Sequence, residues 1–201
     1  MPDLSLETSL GGVVAGIDEV GRGPLAGPVI AAAVIIDPVT LPARLAEELN
    51  DSKKLSAKKR DVLAELVLEH CAHGFGEASV AEIDRLNILK ATFLAMQRAV
   101  GALGQTIDHA LVDGNQVPPL ACKVRCVVGG DGLSLSIAAA SVIAKVRRDR
   151  LMVQLAEHFP GYGWETNAGY GTAAHLEGLR RLGPTPHHRT SFAPIAQLSL
   201  L

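Results

Sequence analysis

Aromatic residues are scarce in this chain: one Trp, two Tyr and four Phe among 201 residues. Any core must therefore be filled mainly by Ala, Val, Leu and Ile. The hydrophobic fraction of 48% is large enough to do so and argues against disorder. Cysteine is scarce as well. Cys71, Cys122 and Cys126 make no disulfide framework, and the Cys122/Cys126 pair lacks two further ligands at zinc spacing. Reduced thiols in the cytoplasm are the expectation. The stretch from Met1 to Gly12 has neither a basic start nor an apolar segment, so no signal peptide is expected. The apolar run from Val29 to Ile36 is too short to span a bilayer, and no membrane partner is expected. Also missing is an excess of positive charge: 19 Lys and Arg stand against 21 Asp and Glu, a net charge of −2. Attraction of nucleic acid by a uniformly basic surface is thereby disfavoured. An anionic partner would have to be held by local basic patches, with a cation offsetting the acidic centre.

What is present is concentrated in Gly16-Ile17-Asp18-Glu19-Val20-Gly21-Arg22-Gly23-Pro24-Leu25-Ala26-Gly27-Pro28. The apolar run Val13 to Ile17 reads as a buried strand, yet it closes on two carboxylates. An unpaired carboxylate in apolar surroundings is very costly. A bound divalent cation is the simplest resolution, because hard cations take carboxylate oxygens. The Gly21-Arg22-Gly23 turn can bring bare backbone close to a ligand and adds one fixed positive charge. Together these point to a phosphate-bearing substrate.

Strand-like runs fall at about 12–18, 28–36, 73–79, 108–113 and 122–128. The second is continuously apolar, as a strand covered on both faces would be. Helical periodicity falls at about 42–49, 56–71, 80–85, 88–103, 134–158 and 172–182. In the fourth of these Leu89, Phe93, Met96 and Val100 share one face. Ser56 suits the N-cap of the second. Residues 160–171 read as a Gly-rich loop, and Gly183-Pro184 stops the last helix. Strands followed by alternating strands and helices suggest an α/β layered domain. Length fits a single domain over residues 1–201, with about 160–201 as a C-terminal helical segment.

Asp18, Glu19, Asp113 and Asp131 are the candidate metal ligands. Asp113 ends a second apolar run, His109 to Val112, and Asp131 follows a third, Val124 to Val128. Two neighbouring strands ending in carboxylates would bring them to one edge of a sheet. The difficulty is that successive side chains on a strand face opposite ways. Asp18 and Glu19 could then share a site only if the strand ends or bulges there, and Gly21 suits an early end. Basic candidates are Lys53, Lys54, Lys58, Lys59, Arg60, Arg147, Arg148, Arg150, Arg180, Arg181 and Arg189. Ser141 and Lys145 lie on one helical face. Each candidate also admits a plainer local reading. Asp131 suits a cap and Asp113 an Asp-Gly turn; Gly21-Arg22-Gly23 suits a tight turn and Tyr170 loop packing. Lys58, Lys59 and Arg60 suit a solvated helix face, Ser141 close helix packing, Lys145 a snorkelling stem, and His188 and Arg189 structural hydrogen bonds.

The stretch 16–28 resembles ribonuclease HII. Further matches follow in family order: Asn50-Asp51-Ser52-Lys53-Lys54-Leu55-Ser56, Glu82-Ile83-Asp84-Arg85-Leu86-Asn87-Ile88, Val112-Asp113-Gly114-Asn115, Gly130-Asp131, Ser136 to Val146, Gly169-Tyr170, and His188-Arg189-Thr190-Ser191-Phe192. The resemblance implies a ribonuclease H-like fold, a five-stranded mixed sheet flanked by helices, with a C-terminal helical extension. It implies an endonuclease that hydrolyses the RNA strand of RNA–DNA hybrids and incises 5′ of single ribonucleotides in duplex DNA. Ends would be 5′-phosphate and 3′-hydroxyl, and the biological use would be ribonucleotide removal. Two Mg²⁺ or Mn²⁺ ions would be held by Asp18, Glu19, Asp113 and Asp131. Gly21, Arg22 and Gly23 would meet the 2′-hydroxyl, with Tyr170 against the following deoxyribose. Lys53, Ser141, Lys145 and Arg189 would complete the substrate path.

The pattern departs at two positions. Many relatives carry lysine where this chain has Gly130 and Ala168, which weakens expected phosphate contacts; Arg125 and Arg148 are the candidates to compensate. A ribonuclease HIII-type N-terminal domain is not expected, since about 12 residues precede the first strand, and no clamp-binding tail is apparent at residues 197–201. A monomer is expected. Two other readings stay open: a hybrid-binding protein that does not cut, and a metal-dependent phosphatase or phosphotransferase on small phosphates.

Overall fold

The computed structural model describes residues 1–198. A short helix, α1 (Ser5–Leu10), precedes strands β1 (Val14–Val20) and β2 (Val29–Ile35). Helices α2 (Ala43–Glu48) and α3 (Ala57–His70) lead to β3 (Ala72–Ala78), then α4 (Val80–Leu86) and α5 (Ile88–Gly101). Strands β4 (His109–Asp113) and β5 (Lys123–Val127) follow, then a 3₁₀ turn at Gly130–Gly132 and the long helix α6 (Leu135–His158). The chain continues through α7 (Trp164–Asn167), α8 (Ala173–Leu182) and α9 (Ala193–Leu198). The expected absence of a clamp-binding tail rests partly on residues 199–201, which lie outside the described residues.

The sheet is five-stranded and mixed, in the order β3-β2-β1-β4-β5. β1 to β3 form an antiparallel meander; β4 joins β1 in parallel and β5 joins β4 in parallel. β2 is apolar throughout because it is covered twice. Ala32 and Val34 belong to the core with α3 and α6, whereas Val29, Ala31 and Ala33 belong to the core with α5. A smaller core of Leu25, Ala26, Met152, Tyr162, Trp164, Leu179 and Ile195 fastens the C-terminal segment to the end of α6. The segment therefore packs onto the sheet domain. Among the described residues no helix is long and apolar enough to cross a membrane.

Two local expectations need correction and a third is refined. Residues 160–171 are not wholly loop, since α7 lies within them, and α1 stands where no element was expected. The stripe Leu89, Phe93, Met96 and Val100 is not the centre of the buried face of α5. That centre is Ala91, Thr92, Ala95, Met96 and Ala99, with Leu89, Phe93 and Val100 only partly buried. The cause lies across the interface on β3. A Cβ at Gly76 would strike the Ala95 carbonyl, and one at Gly74 would strike that of Ala99. Glycine in the strand and alanine in the helix let the two backbones approach so closely that the large side chains move to the flanks.

Candidate active site

β1 does not end at its acidic pair. It continues to Val20 and stays in register with β2: Asp18 faces Ala32, Glu19 faces Ala31 and Val20 faces Ile30. On its other side, the pairing with β4 stops at Ile17 opposite Val112. The open edge beyond that point replaces the expected strand end or bulge. Asp18 sends its side chain to the α6 layer, where it meets the Ser141 hydroxyl. Glu19 points to the α5 layer, among Arg22, Thr92, Phe93 and Met96. Asp113, at the end of β4, fills the open edge between them and acts electrostatically on both. Asp131 enters from the 3₁₀ turn and also feels Asp113, whose Oδ1 accepts a hydrogen bond from the Gly130 amide at 2.7 Å. All four predicted carboxylates thus gather at one sheet edge.

Burial raises the Asp18 carboxyl well above the usual range, with the Glu19 and Asp113 charges adding to it while Ser141 opposes. Burial and Asp113 raise Glu19 against the lowering effect of Arg22. Burial, then Asp51 and Asp113, raise Asp131, with Lys53 opposing. A crowded set of oxygen-only donors that resist ionisation is the chemistry a hard divalent cation relieves. The donors are not gathered on a single point. Asp18 Oδ1 accepts from the Glu19 amide at 2.7 Å, and Glu19 Oε1 lies 3.4 Å from Arg22. Among the described residues no three His, Cys, Asp or Glu side chains converge closely enough to grip an ion as they stand. The residues fit such an ion in type and place, and would rotate to close on it. Cys122 just precedes β5 and Cys126 lies within it, so nearly extended chain holds the two apart by roughly 13 Å.

Opposite the carboxylates lies the loop from Gly21 to Pro28. Arg22 is about half exposed and reaches back to Glu19. Tyr170 is 47% exposed, and a Cβ at Gly23 would lie 3.4 Å from its Cε1, so the ring rests beside the bare backbone of that glycine. Gly21 has φ +94°, a region glycine enters freely, and a side chain there would overlap Arg148. The Leu25 amide donates to the Gly169 carbonyl at 2.8 Å, tying this loop to the Tyr170 segment. Behind Tyr170, His175 Nδ1 lies 2.9 Å from the Tyr170 carbonyl. His175 Nε2 receives the Trp164 indole N–H at 3.0 Å and lies 3.0 Å from His188 Nε2.

The remaining candidates divide. Lys53 is exposed and its charge reaches Asp131. Ser141 is buried and bonds the Ser52 hydroxyl at 3.0 Å. Lys145, one turn along the same face, pairs with Asp149 at 2.7 Å. Arg189 does not reach the surface. It is fully buried and donates to the carbonyls of Gly21, Arg22 and Gly27, so direct contact with substrate gives way to support of the loop. Arg148 is likewise buried and makes no direct phosphate contact in place of the lysines absent at Gly130 and Ala168, whereas Arg125 is exposed. Arg60 is no free surface charge, since it donates to the Ser52 and Leu55 carbonyls at 2.7 Å each. Sequence reasoning left Asp51 and Ser52 without roles, although both stand in a recognised motif and touch Asp131 and Ser141. The motif residues Asp84, Thr190 and Ser191 prove to be a fastening: Asp84 accepts four hydrogen bonds from the amides and hydroxyls of the other two.

Comparison with known proteins bears on this arrangement. The profile of the ribonuclease HII family matches residues 15–195. A ribonuclease HII of Paramagnetospirillum magneticum is 70% identical over 200 residues, covering 100% of both chains. The crystal structure of ribonuclease H2 from Pyrococcus horikoshii superposes with a TM-score of 0.78 at 25% identity, covering 94% of this chain and 97% of that one. A Bst ribonuclease HIII solved in complex with Mn²⁺ shares the fold, with a TM-score of 0.79 at 21% identity, over 100% of this chain and 74% of its own.

Proposed function

The chain belongs to the ribonuclease HII family and is a ribonuclease H, and from that premise we propose that it is a metal-dependent endonuclease of RNA–DNA hybrids that also incises 5′ of single ribonucleotides in duplex DNA. The observation that carries the reading is the meeting of Asp18, Glu19, Asp113 and Asp131 at the open edge of β1, beside a glycine loop and a half-exposed tyrosine. Asp18, Glu19, Asp113 and Asp131 would hold Mg²⁺ or Mn²⁺, two ions when substrate is bound. Such ions, when bound, activate an attacking water and stabilise the departing 3′ oxygen. The Mn²⁺ complex of the ribonuclease HIII that shares this fold supports that choice.

The chain's own groups would do the rest. The Gly21 to Gly23 backbone, free of side chains at both glycines, can approach a 2′-hydroxyl, the group that separates RNA from DNA. Tyr170, held beside Gly23, offers a flat apolar face to the next sugar and prefers deoxyribose there. Arg22 holds Glu19 until an ion or a phosphate competes for either partner. Lys53, from the loop that also carries Asp51, supplies a phosphate contact, and Ser141 orients Asp18. Water adds to phosphorus and the 3′ oxygen leaves, giving 5′-phosphate and 3′-hydroxyl ends. Free thiols, buried at Cys71 and half-buried at Cys122 and Cys126, each made less acidic by burial, support a working place in the cytoplasm, where the chain would act as a monomer.

The test is incubation of the protein with a labelled DNA duplex containing one ribonucleotide, with and without Mg²⁺ or Mn²⁺, beside an all-DNA duplex. A metal-dependent nick 5′ of the ribonucleotide, absent from the control, is expected. Binding without cutting would overturn the reading.

A further inference from the structure

Two large cations lie fully buried without an acidic partner beneath the loop that faces the carboxylates. Arg148, from the middle of α6, donates to the carbonyls of Pro28 (3.0 Å), Ala26 (3.0 Å) and Ala168 (2.9 Å). Arg189 donates to Gly27 (3.0 and 2.8 Å), Arg22 (2.9 Å) and Gly21. Neither forms a salt bridge among the described residues; Asp149 and Asp84 act on them only at longer range. Five of the six carbonyls belong to the loop between β1 and β2, and the sixth directly precedes the Gly169-Tyr170 pair. That loop has almost no regular structure to satisfy its inward carbonyls, and a buried carbonyl left unpaired is costly. Two apolar side chains could fill the space more cheaply, because an unpaired buried charge is expensive. The use of guanidinium groups here calls for something packing does not provide.

We infer that Arg148 and Arg189 are positioning residues: their forked donors fix the Gly21–Pro28 loop in the shape that presents Arg22 and Gly23 beside Tyr170, and their unpaired charges lie as a cationic floor beneath the strand of an anionic substrate. The inference rests on the reading of that loop as the ribonucleotide contact. Two guanidinium groups are suited to this, because each offers five donors in a rigid plane, whereas lysine offers a single point. Burial lowers Arg148 to about 10, and burial together with the Arg148 charge lowers Arg189 to about 9, so both stay charged at neutral pH. Among the described residues no carboxylate lies within salt-bridge distance of either charge, so together they offset locally the overall acidity of the chain. The backbone closes the same clamp: Gly27 donates to the His187 carbonyl at 2.9 Å, and Arg189 to that of Leu25 at 2.9 Å.

The experiment compares wild type with Arg148→Lys and Arg189→Lys, which keep charge and lose the fork. Cleavage of a single-ribonucleotide duplex is read as kcat and KM, and backbone hydrogen exchange as protection by segment. The expected result is a fall in kcat/KM of roughly ten- to hundredfold, carried mainly by KM. Protection should be lost at Leu25 and Gly27 but kept in β1 and β2. Wild-type kinetics with wild-type loop protection would overturn the inference. Should both variants fail to fold, the wild-type protein decides. The Nε–H protons of Arg148 and Arg189, bonded to Pro28 and Gly27, should persist in NMR spectra at neutral pH, and rapid exchange of either would overturn it. Arg22→Ala and Tyr170→Ala separate the two readings. If they cut every substrate normally, the loop is not the ribonucleotide contact. If they lose discrimination while the lysine variants keep kcat, KM and protection, the positioning inference alone fails.

Discussion

Acid should unfasten the support of Tyr170 through a histidine pair whose tautomers are fixed by geometry. The Thr185 amide donates to His188 Nδ1 at 2.9 Å, so that nitrogen is an acceptor and the proton sits on Nε2. His188 Nε2–H then donates to His175 Nε2, which already accepts the Trp164 indole N–H. The His175 proton is left on Nδ1, where it donates to the Tyr170 carbonyl. Both rings are neutral, and protonating either places a donor against a donor. Burial pushes His188 down to about 4, with the His175 charge adding to it, and burial lowers His175 also. A histidine whose folded pKa is depressed contributes stability that is fully present above its unfolded value near 6.5. That contribution is lost as pH falls toward 4. The difference of about 2.5 pH units corresponds to at most about 3.4 kcal/mol, of which roughly 2 kcal/mol is expressed by pH 4.5. Asp18, Glu19 and Asp131 act in the opposite direction, because their raised carboxyls favour the folded state as acid is added. The comparison must therefore be with His188→Gln, which keeps a donor toward His175 and does not titrate. Urea unfolding without metal, at pH 7.5 and 4.5, should show wild type losing about 2 kcal/mol more than the variant, near 1 M in midpoint. Equal losses, within about 0.5 kcal/mol, would refute the reasoning.

Asp18→Asn and Asp113→Asn should each reduce cleavage to background. Asp18→Asn should also raise the metal-free urea midpoint at neutral pH, since it removes a buried charge that the fold disfavours; wild-type turnover in either variant would sink the metal assignment. Gly76→Ala should cost about 3 kcal/mol in urea unfolding, the upper end for overpacking. The new methyl meets the backbone of α5 and Arg98 Cβ at 2.7 Å, where nothing flexible can yield. Ala168→Lys should steepen the salt dependence of substrate binding by about 0.9 in log–log slope, one added phosphate contact. It should leave stability unchanged, because the φ of 48° at that position strains alanine and lysine alike; an unchanged slope would place Ala168 off the substrate path.

The order of strands and helices was legible because this chain marks its elements cleanly. β2 is apolar without interruption, and it is covered by helices on both faces. Ser56 accepts a hydrogen bond from the Lys59 amide as an N-cap should. Legibility failed where small residues carried the packing. Hydrophobic periodicity weights Leu, Phe and Met, and so it picks out Phe93, Met96 and Val100, which do pack on the core, but not Ala95 and Ala99, which meet Gly74 and Gly76 at its centre. α7 escaped because a single turn begun by a left-handed glycine, Gly163 at φ 70°, has no period to detect.

The carboxylates were legible as residues but not as an arrangement. Alternation along a strand argued that Asp18 and Glu19 must part, and they do, one toward α6 and one toward α5. They meet again electrostatically because β4 stops pairing one residue short of Asp18, so Asp113 can stand at the edge and act on both faces. Such an edge follows from where two strands end relative to each other, a long-range fact that no local pattern carries. Arg148 left a signal that went unused. Ser141, Lys145, Arg148 and Met152 are spaced four, three and four, and Ser141, Arg148 and Met152 are all buried. An arginine on a buried stripe with no acidic residue at helical spacing on its inner side must find other acceptors, and only unstructured backbone offers carbonyls in number. A buried, unpaired arginine in a helix thus points to a loop that needs holding, and here that loop is the one facing the carboxylates.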